Sequence, residues 1–219
     1  MNLLSLSSVP SRYRKIYKLV KDYTMIPEPV FYDNLELAEK YDTGKGCIVE
    51  CGVWRGGMSA AMGMLLGNER EIFLFDSFEG LPPAKELDGE KAISWQKDTS
   101  SPFYFDNCKA SEKEAETILD RAGIKNRKLV KGFFSETLPS FTPPSPISVL
   151  RLDGDWYDST MDCLENLYKF VAPKGLILID DYYLWDGCAR AVHDFLSRHS
   201  LPDRIRQFNN GDLFYIIKG

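Results

Sequence analysis

The chain has 219 residues, of which 44% are hydrophobic and 27% are charged, and this composition predicts one soluble globular domain with a sizeable core. Its net charge of −5 and the lack of a basic patch with interleaved aromatic residues argue against a nucleic-acid partner. The N-terminus lacks the basic region and apolar core of a secretory signal, and no stretch approaches the roughly 18 apolar residues of a membrane span, so we expect a cytoplasmic protein without a membrane partner.

The N-terminal part of the chain is predicted to be helical. Apolar residues at helical spacing indicate helices over residues 10–22 and from about 30 to 41, separated by Pro27 and Pro29. We interpret residues 1–42 as a helical cap or lid segment and residues 43–219 as the main α/β part of one globular unit.

Short apolar runs alternate with helical patterns through the rest of the chain. They predict strands over residues 47–51, 71–75, 128–131, 147–152 and 175–179, and helices over 56–66, 111–122, 159–171 and 186–197. Ser111 and Glu114 form a capping-box pattern at the start of one helix. Near the C-terminus, residues 204–208 and 212–218 flank Asn209-Asn210-Gly211, a strong signal for a β-hairpin. The chain is therefore predicted to form parallel βα units that end in an antiparallel pair.

A long polar segment, residues 76–110, follows the second predicted strand. Loops of this length in compact domains are usually functional covers or partly disordered. The segment contains the aromatic residues Trp95, Phe103, Tyr104 and Phe105. These side chains are typical of a cover over a substrate, and the alternative is an aromatic patch packed on the surface.

Acidic residues follow the fourth and fifth predicted strands. Asp153-Gly154-Asp155 comes after residues 147–152, and Asp180-Asp181 comes after residues 175–179. Ligands bind at the carboxyl ends of the strands in an open α/β sheet, so we expect these four carboxylates to converge there. Like charges disfavour joint ionisation, and a hard divalent cation such as Mg²⁺ would offset them through the oxygen ligands that it prefers. The residues therefore predict a metal-assisted enzyme.

A glycine-rich turn follows the first predicted strand. Gly52, Gly56 and Gly57 lie between the strand that contains Glu50 and a helix, so the backbone can approach a ligand closely at the helix N-terminus. Asp76 ends the second predicted strand, where an acid commonly holds ribose hydroxyls. These features fit NAD or S-adenosylmethionine. The order of the glycines departs from G-x-G-x-x-G and favours S-adenosylmethionine.

Four motifs carry a resemblance to a known family. They are residues 49–57, residues 76–82, residues 153–160, and Asp180-Asp181-Tyr182 with Trp185 and Gly187. In this order they resemble the macrocin O-methyltransferase family, whose members methylate sugar hydroxyls of antibiotics with S-adenosylmethionine and Mg²⁺. The resemblance implies a class I methyltransferase fold, which is a Rossmann-like, doubly wound sheet of seven strands with one antiparallel strand. It also implies a glycosylated small-molecule acceptor with a free hydroxyl, and a homodimer or larger homo-oligomer.

The resemblance also implies roles for individual residues. Asp153, Asp180 and Asp181 would bind the metal. The methionine end of the cofactor would contact Glu50 and Ser59, and its adenine would lie near Gly132. The full set of expected cofactor contacts is Thr24, Met25, Glu50, Gly52, Trp54, Ser59, Asp76, Ser77, Phe78, Gly132, Phe133 and Asp153.

Asp155 is the candidate general base. It lies two residues beyond Asp153, the other acid assigned to the catalytic centre, so a strand-like backbone would turn both side chains to the same side. A carboxylate there can take the proton of an acceptor hydroxyl as the methyl group arrives. Asp158 is interpreted as the N-cap of the helix that begins at Ser159. His193 as an auxiliary base is a minor alternative to an ordinary surface or core histidine.

Two other functions stay open from the sequence. A metal-dependent glycosyltransferase would use Asp153-Gly154-Asp155 to hold the diphosphate of a nucleotide-sugar, although the glycine turn and Asp76 argue against it. A non-catalytic module would bind the cofactor and no metal, and the intact set of acids argues against that function.

Overall fold

Seven strands form one sheet in the computed structural model, which describes residues 9–209 and 211–219. The strands are β1 Cys47–Cys51, β2 Ile72–Asp76, β3 Arg127–Lys131, β4 Ile147–Leu152, β5 Val171–Ile179, β6 Arg206–Gln207 and β7 Phe214–Ile217. Their order is β3-β2-β1-β4-β5-β7-β6. The first five strands pair in parallel, and β7 runs antiparallel to both β5 and β6. This is the predicted seven-stranded, doubly wound sheet with one antiparallel strand.

Helices cover both faces of the sheet. They are α1 Ser11–Val20, α2 Glu28–Tyr41, α3 Gly57–Leu66, α4 Gly89–Lys97, α5 Glu112–Arg121, α6 Phe134–Thr137, α7 Tyr157–Leu167 and α8 Asp186–Arg198. Alternate strand residues point to opposite faces, so Ile48 packs with α1, α2, α3 and α5, whereas Val49 packs with α7 and α8. None of the described helices is long and apolar enough to cross a bilayer.

The two N-terminal helices belong to the core of the sheet domain. Ile16 of α1 and Phe31 and Leu35 of α2 are buried in the same hydrophobic cluster as Met62 of α3. The division of the chain at residue 42 into a cap segment and a main domain stays a prediction.

The structure corrects several predicted boundaries. Within the segment 76–110, residues Gly89–Lys97 form the helix α4, which the sequence patterns did not indicate. The helix predicted over 159–171 begins at Tyr157 with Trp156 as its N-cap, so the interpretation of Asp158 as the N-cap was wrong. Asp158 lies in the first turn and pairs with Lys85 across 2.5 Å. The terminal hairpin forms as predicted, although Asn210 of its turn lies outside the described residues.

The predicted capping box at the start of α5 is present. The Ser111 hydroxyl accepts a hydrogen bond from the Glu114 N–H at 3.3 Å, and the Ser111 N–H donates to the Glu114 carboxylate at 3.0 Å. These bonds satisfy backbone and side-chain groups that the helix end would leave unpaired.

Replacement of this N-cap tests its contribution to stability. Ser111→Ala is expected to lower the free energy of unfolding by about 1 kcal/mol, because the first turn of α5 loses its acceptor. Urea denaturation measures the change. Thr117→Ala, on the exposed side of the same helix, is the control and should change stability by less than about 0.5 kcal/mol. Equal losses in both variants would contradict the role of the cap.

Candidate active site

A cavity of about 1100 Å³ opens at the carboxyl ends of the parallel strands. Most of the residues predicted to form the site line it: Thr24, Met25, Glu50, Gly52, Trp54, Asp76, Ser77, Phe133, Asp153, Asp155, Asp180 and Asp181. Three predicted residues, Ser59, Phe78 and Gly132, lie outside this lining in the described chain. His193 also lies outside it, and its Nε2 is 2.9 Å from the Tyr182 hydroxyl.

The glycine turn brings the ends of β1 and β4 into close contact. Gly52 has a φ of +88°, and a Cβ atom at this residue would lie 1.7 Å from the carbonyl oxygen of Asp153. The Asp153 N–H donates to the Cys51 carbonyl at 2.8 Å. Glycine is therefore required at position 52 for both its backbone conformation and its lack of a side chain.

Asp76 fixes two loops that border the cavity. Its Oδ2 accepts hydrogen bonds from the N–H groups of Val53 and Trp54 at 2.7 and 2.8 Å, and its Oδ1 accepts one from Phe78 at 2.6 Å. Removal from water raises the pKa of Asp76, and the three backbone N–H donors oppose that shift. Phe78 therefore holds Asp76 through its backbone rather than lining the cavity with its ring.

Three carboxylates converge where β4 and β5 end. One oxygen atom from each of Asp153, Asp155 and Asp181 lies within 4.8 Å of the other two. The Asp155 N–H also donates to the Asp181 Oδ2 at 2.9 Å. Asp155 has a φ of +58°, so a tight turn, rather than the predicted strand-like backbone, brings its side chain to the cluster.

Arg151 is a residue of the site that the sequence interpretation missed. Its guanidinium is buried and reaches three acids: Nη1 lies 2.8 Å from Glu50 Oε1 and 2.6 Å from Asp153 Oδ2, and Nη2 lies 2.7 Å from Asp180 Oδ1. The available signal was a charged residue inside the apolar strand β4, two residues before Asp153 and thus on the same side. Asp180 is paired with Arg151 and lies outside the cluster of three carboxylates.

Negative charge still exceeds positive charge at this end of the cavity. Burial, with the charge of Asp153 added, raises the pKa of Asp155 to about 8. Burial and the neighbouring Asp155 raise the pKa of Asp181 well above its usual range. Burial raises the pKa of Asp180 to about 6, although Arg151 opposes the shift. An all-oxygen donor set with uncompensated charge fits a hard divalent cation such as Mg²⁺.

An aromatic wall, which we define as Trp95, Trp156 and Trp185, stands beside the acids. The three indole rings pack edge to face, with centroids 5.2 to 6.1 Å apart. The Trp185 Nε1–H donates to the Asp155 Oδ1 at 2.8 Å, so the wall fixes one oxygen of the candidate base. Trp95 belongs to α4, and the segment 76–110 therefore forms part of the cavity wall rather than a separate surface patch.

Two connections hold that segment in place. The buried carboxylate of Asp88 accepts from the Lys85 N–H and from the Tyr157 N–H, both at 2.7 Å, so it joins the segment to the start of α7. Farther along, Phe105–Cys108 form a turn of four consecutive residues with left-handed backbone, φ 49° to 57°. Asn107 anchors this turn: its amide donates to the Leu81 carbonyl at 2.8 Å and accepts from the Gln96 amide at 2.9 Å.

A family model described as macrocin O-methyltransferase matches residues 22–216. The chain belongs to the macrocin O-methyltransferase family. This membership confirms the resemblance of the four motifs and favours a methyltransferase over the glycosyltransferase alternative.

Named relatives share about a third of their residues with this chain over the matched region. An 8-demethyl-8-(2,3-dimethoxy-alpha-L-rhamnosyl)-tetracenomycin-C 4'-O-methyltransferase of Streptomyces olivaceus is 33% identical over 176 residues, 78% of this chain and 65% of the relative. A demethyldecarbamoylnovobiocin O-methyltransferase of Streptomyces niveus is 32% identical over 181 residues, again 78% of this chain and 65% of the relative. A mycinamicin III 3''-O-methyltransferase of Micromonospora griseorubida is 30% identical over 176 residues, 78% of this chain and 68% of the relative. The match thus spans just under two thirds of the length of the first two relatives.

Solved structures of methyltransferases share the fold. The O-methyltransferase NovP superimposes with a TM-score of 0.74 at 27% identity, covering 90% of this chain and 82% of that one. The calicheamicin methyltransferase CalS11 superimposes with a TM-score of 0.68 at 19% identity, covering 95% and 91%. The predicted class I methyltransferase fold is confirmed.

The close contact between Gly52 and the end of β4 can be tested by comparison with Gly44, a glycine whose Cβ position is open. Gly44 has a φ of +70°, and a Cβ atom there would meet no atom within 4 Å, so Gly44→Ala adds backbone strain alone, about 1–2 kcal/mol. Gly52→Ala adds a steric clash to that strain and should lower the free energy of unfolding by roughly 1–3 kcal/mol more. Urea denaturation of both variants measures the difference, and equal losses would contradict the close contact of β1 with β4.

Proposed function

We propose that this protein is an S-adenosylmethionine- and Mg²⁺-dependent O-methyltransferase that methylates a hydroxyl group on a sugar of a natural product. One observation carries the proposal: the glycine turn after β1, Asp76 after β2 and the acids after β4 and β5 meet in one cavity. Family membership supports the reaction type. The names of two relatives, which describe a rhamnosyl-bearing tetracenomycin and mycinamicin III as acceptors, support the substrate class.

The β1 and β2 side of the cavity fits the cofactor. Gly52 and the buried Glu50 both line this side of the cavity, and the Glu50 carboxylate would attract the ammonium group of the cofactor. Asp76 would hold the ribose through oxygen lone pairs that its three backbone donors leave free. Thr24 and Met25 close the cavity from the N-terminal segment, and Phe133 borders the expected adenine region. Trp54 and Ser77 complete this lining.

The β4 and β5 side fits the metal. Asp153 and Asp181 belong both to the predicted ligand set and to the observed cluster of three carboxylates, so we propose them as ligands. Asp180 would contribute Oδ2, because Arg151 occupies its Oδ1. Asp155 has its Oδ1 held by Trp185, which leaves Oδ2 for a proton.

Asp155 would act as the general base. When bound, S-adenosylmethionine supplies the methyl group, and Mg²⁺ supplies positive charge that makes the acceptor hydroxyl more acidic. Asp155 accepts the hydroxyl proton through Oδ2, the oxygen that the Trp185 hydrogen bond leaves free. Trp185 keeps this carboxylate oriented, and the aromatic wall limits the access of water to it. Positioning of the acceptor in the cavity supplies much of the rate enhancement.

The aromatic wall and the exposed rings at the cavity mouth suit a glycosylated acceptor. Phe103 and Phe105 line the opening and are more than half exposed, so they offer apolar surface to the body of a natural product. We further propose that the protein works in the cytoplasm on small molecules, as a homodimer or larger homo-oligomer.

Calorimetric titration tests the two ligands separately. S-adenosylmethionine and Mg²⁺ should both bind the protein, whereas NAD and a nucleotide-sugar should not. Asp181→Asn should weaken Mg²⁺ binding by about tenfold or more, because it removes a charged ligand. Asp158→Asn is the matched control, since Asp158 lines the same cavity outside the carboxylate cluster. Binding of the nucleotide-sugar alone would support a glycosyltransferase, and cofactor binding without Mg²⁺ binding would support a non-catalytic module.

Removal of the proposed base tests the mechanism. Asp155→Asn should lower the rate of methyl transfer by about 10²–10⁴-fold while cofactor and Mg²⁺ still bind, because an amide cannot accept the proton. Transfer of a labelled methyl group to a panel of rhamnosylated natural products measures the rate. Asp158→Asn should keep the wild-type rate. Full activity of Asp155→Asn would exclude Asp155 as the base.

A further inference from the structure

Arg151 touches acids from both functional halves of the cavity. Its Nη1 lies between Glu50 on β1 and Asp153 after β4, and its Nη2 contacts Asp180 after β5. The arginine side chain has only 1% of its surface exposed, so solvent screens these contacts weakly. One buried cation is therefore shared by three carboxylates.

On the cofactor side, Arg151 pairs with Glu50, and both oxygens of this carboxylate are hydrogen-bonded. Glu50 is buried, lines the cavity and uses Oε1 for Arg151, while its Oε2 accepts a hydrogen bond from the Ser59 hydroxyl. Ser59 lies outside the cavity lining, so it holds Glu50 from behind. The charge that Glu50 presents to a ligand therefore depends on how strongly Arg151 neutralises it.

On the metal side, Arg151 holds one oxygen of each of two acids. It contacts Oδ2 of Asp153 and Oδ1 of Asp180, so the other oxygen of each carboxylate remains available to a ligand. The contacts diverge from two nitrogen atoms of a planar group. A guanidinium can support such a geometry, and a lysine ammonium, as a single point charge, cannot reproduce it.

We propose that Arg151 is a positioning residue that couples the cofactor end of the cavity to its metal end. The inference rests on the proposed function, because it concerns S-adenosylmethionine and Mg²⁺ as the two ligands. A divalent cation attracts the charge of Asp153 and Asp180, which leaves Arg151 to interact more strongly with Glu50. Glu50 then attracts the ammonium group of the cofactor less strongly. Mg²⁺ therefore weakens cofactor binding, and the cofactor weakens Mg²⁺ binding by the same factor.

The coupling between the two ligands can be measured by binding alone, without catalysis. We define the coupling factor as the ratio of the Kd of one ligand with the other ligand present to its Kd with the other ligand absent. S-adenosylhomocysteine is titrated by calorimetry with and without saturating Mg²⁺ at equal ionic strength. This product lacks the sulfonium charge, so direct repulsion between the two ligands is reduced. In the wild type, Mg²⁺ should raise the Kd of S-adenosylhomocysteine by about fivefold or more. The reverse titration, of Mg²⁺ with and without S-adenosylhomocysteine, should give the same factor.

Two arginine variants distinguish a loss of ligand coupling from a general loss of protein stability. Arg151→Lys keeps the charge but not the three contacts, and the coupling factor should fall below about twofold. Arg70→Lys is the matched control: Arg70 is mostly buried and donates to both Asp42 oxygens at 2.9 Å, outside the cavity. It should keep the wild-type factor. A merely structural role of Arg151 would lower the melting temperature without changing the factor.

Glu50→Gln provides a second variant if Arg151→Lys does not fold. It removes the charge at the cofactor end and leaves Asp153 and Asp180 in place, so the factor should also fall below about twofold while Mg²⁺ still binds. Independent binding of both ligands to the wild type would overturn the coupling alone, as would a full factor in Arg151→Lys or Glu50→Gln. Failure of the wild type to bind either ligand would overturn the proposed function and the coupling together.

Discussion

The compensation of buried negative charge by Arg151 is the interaction on which the cavity depends. Glu50, Asp153 and Asp180 come from three different strands or strand ends, and each places a carboxylate near the same guanidinium. Loss of one partner from a buried ion pair leaves an uncompensated charge, which is far more costly than loss of a surface pair. The arginine therefore permits an acidic site inside a well-packed α/β sheet, and the remaining carboxylates line the cavity.

The sheet order explains why these residues meet. β1 lies between β2 and β4, so the turn after β1 adjoins Asp76 on one side and Asp153 on the other. Gly52 allows the β1 and β4 ends to touch, and the hydrogen bonds of Asp76 hold the turn in place. The rest of the cavity comes from the segment 76–110, which Asp88 joins to α7. The site is therefore a product of central-strand packing with a wall added from one long connection.

The sequence predicts the central strands and the position of the site well. It predicts poorly the elements whose apolar residues do not follow a regular helix or strand pattern. Residues 47–51 and 147–152 form strands within the predicted bounds, because uninterrupted apolar runs there are buried on both faces. β5 begins at Val171 and not at residue 175. Pro173 and Lys174 interrupt the apolar run, so the sequence pattern indicated a strand only after them. The ion pairs of Arg151 and the left-handed turn at Asp155 arise from tertiary contacts, which a local pattern does not contain. The helix α4 was missed because only one of its residues, Ala92, is fully buried.

The left-handed turn at Phe105–Cys108 stores conformational energy in the wall of the cavity. Phe105 and Cys108 each lie about 1–2 kcal/mol above their right-handed form in this conformation. The side-chain bonds of Asn107 to Leu81 and Gln96, together with the backbone bond from the Leu81 N–H to the Asn107 carbonyl, hold the turn against this strain. Loss of these bonds would let the backbone relax, and Phe105 would move relative to the cavity opening that it lines. The shape of the entrance is therefore set by the hydrogen bonds of one strained loop and not by the sheet.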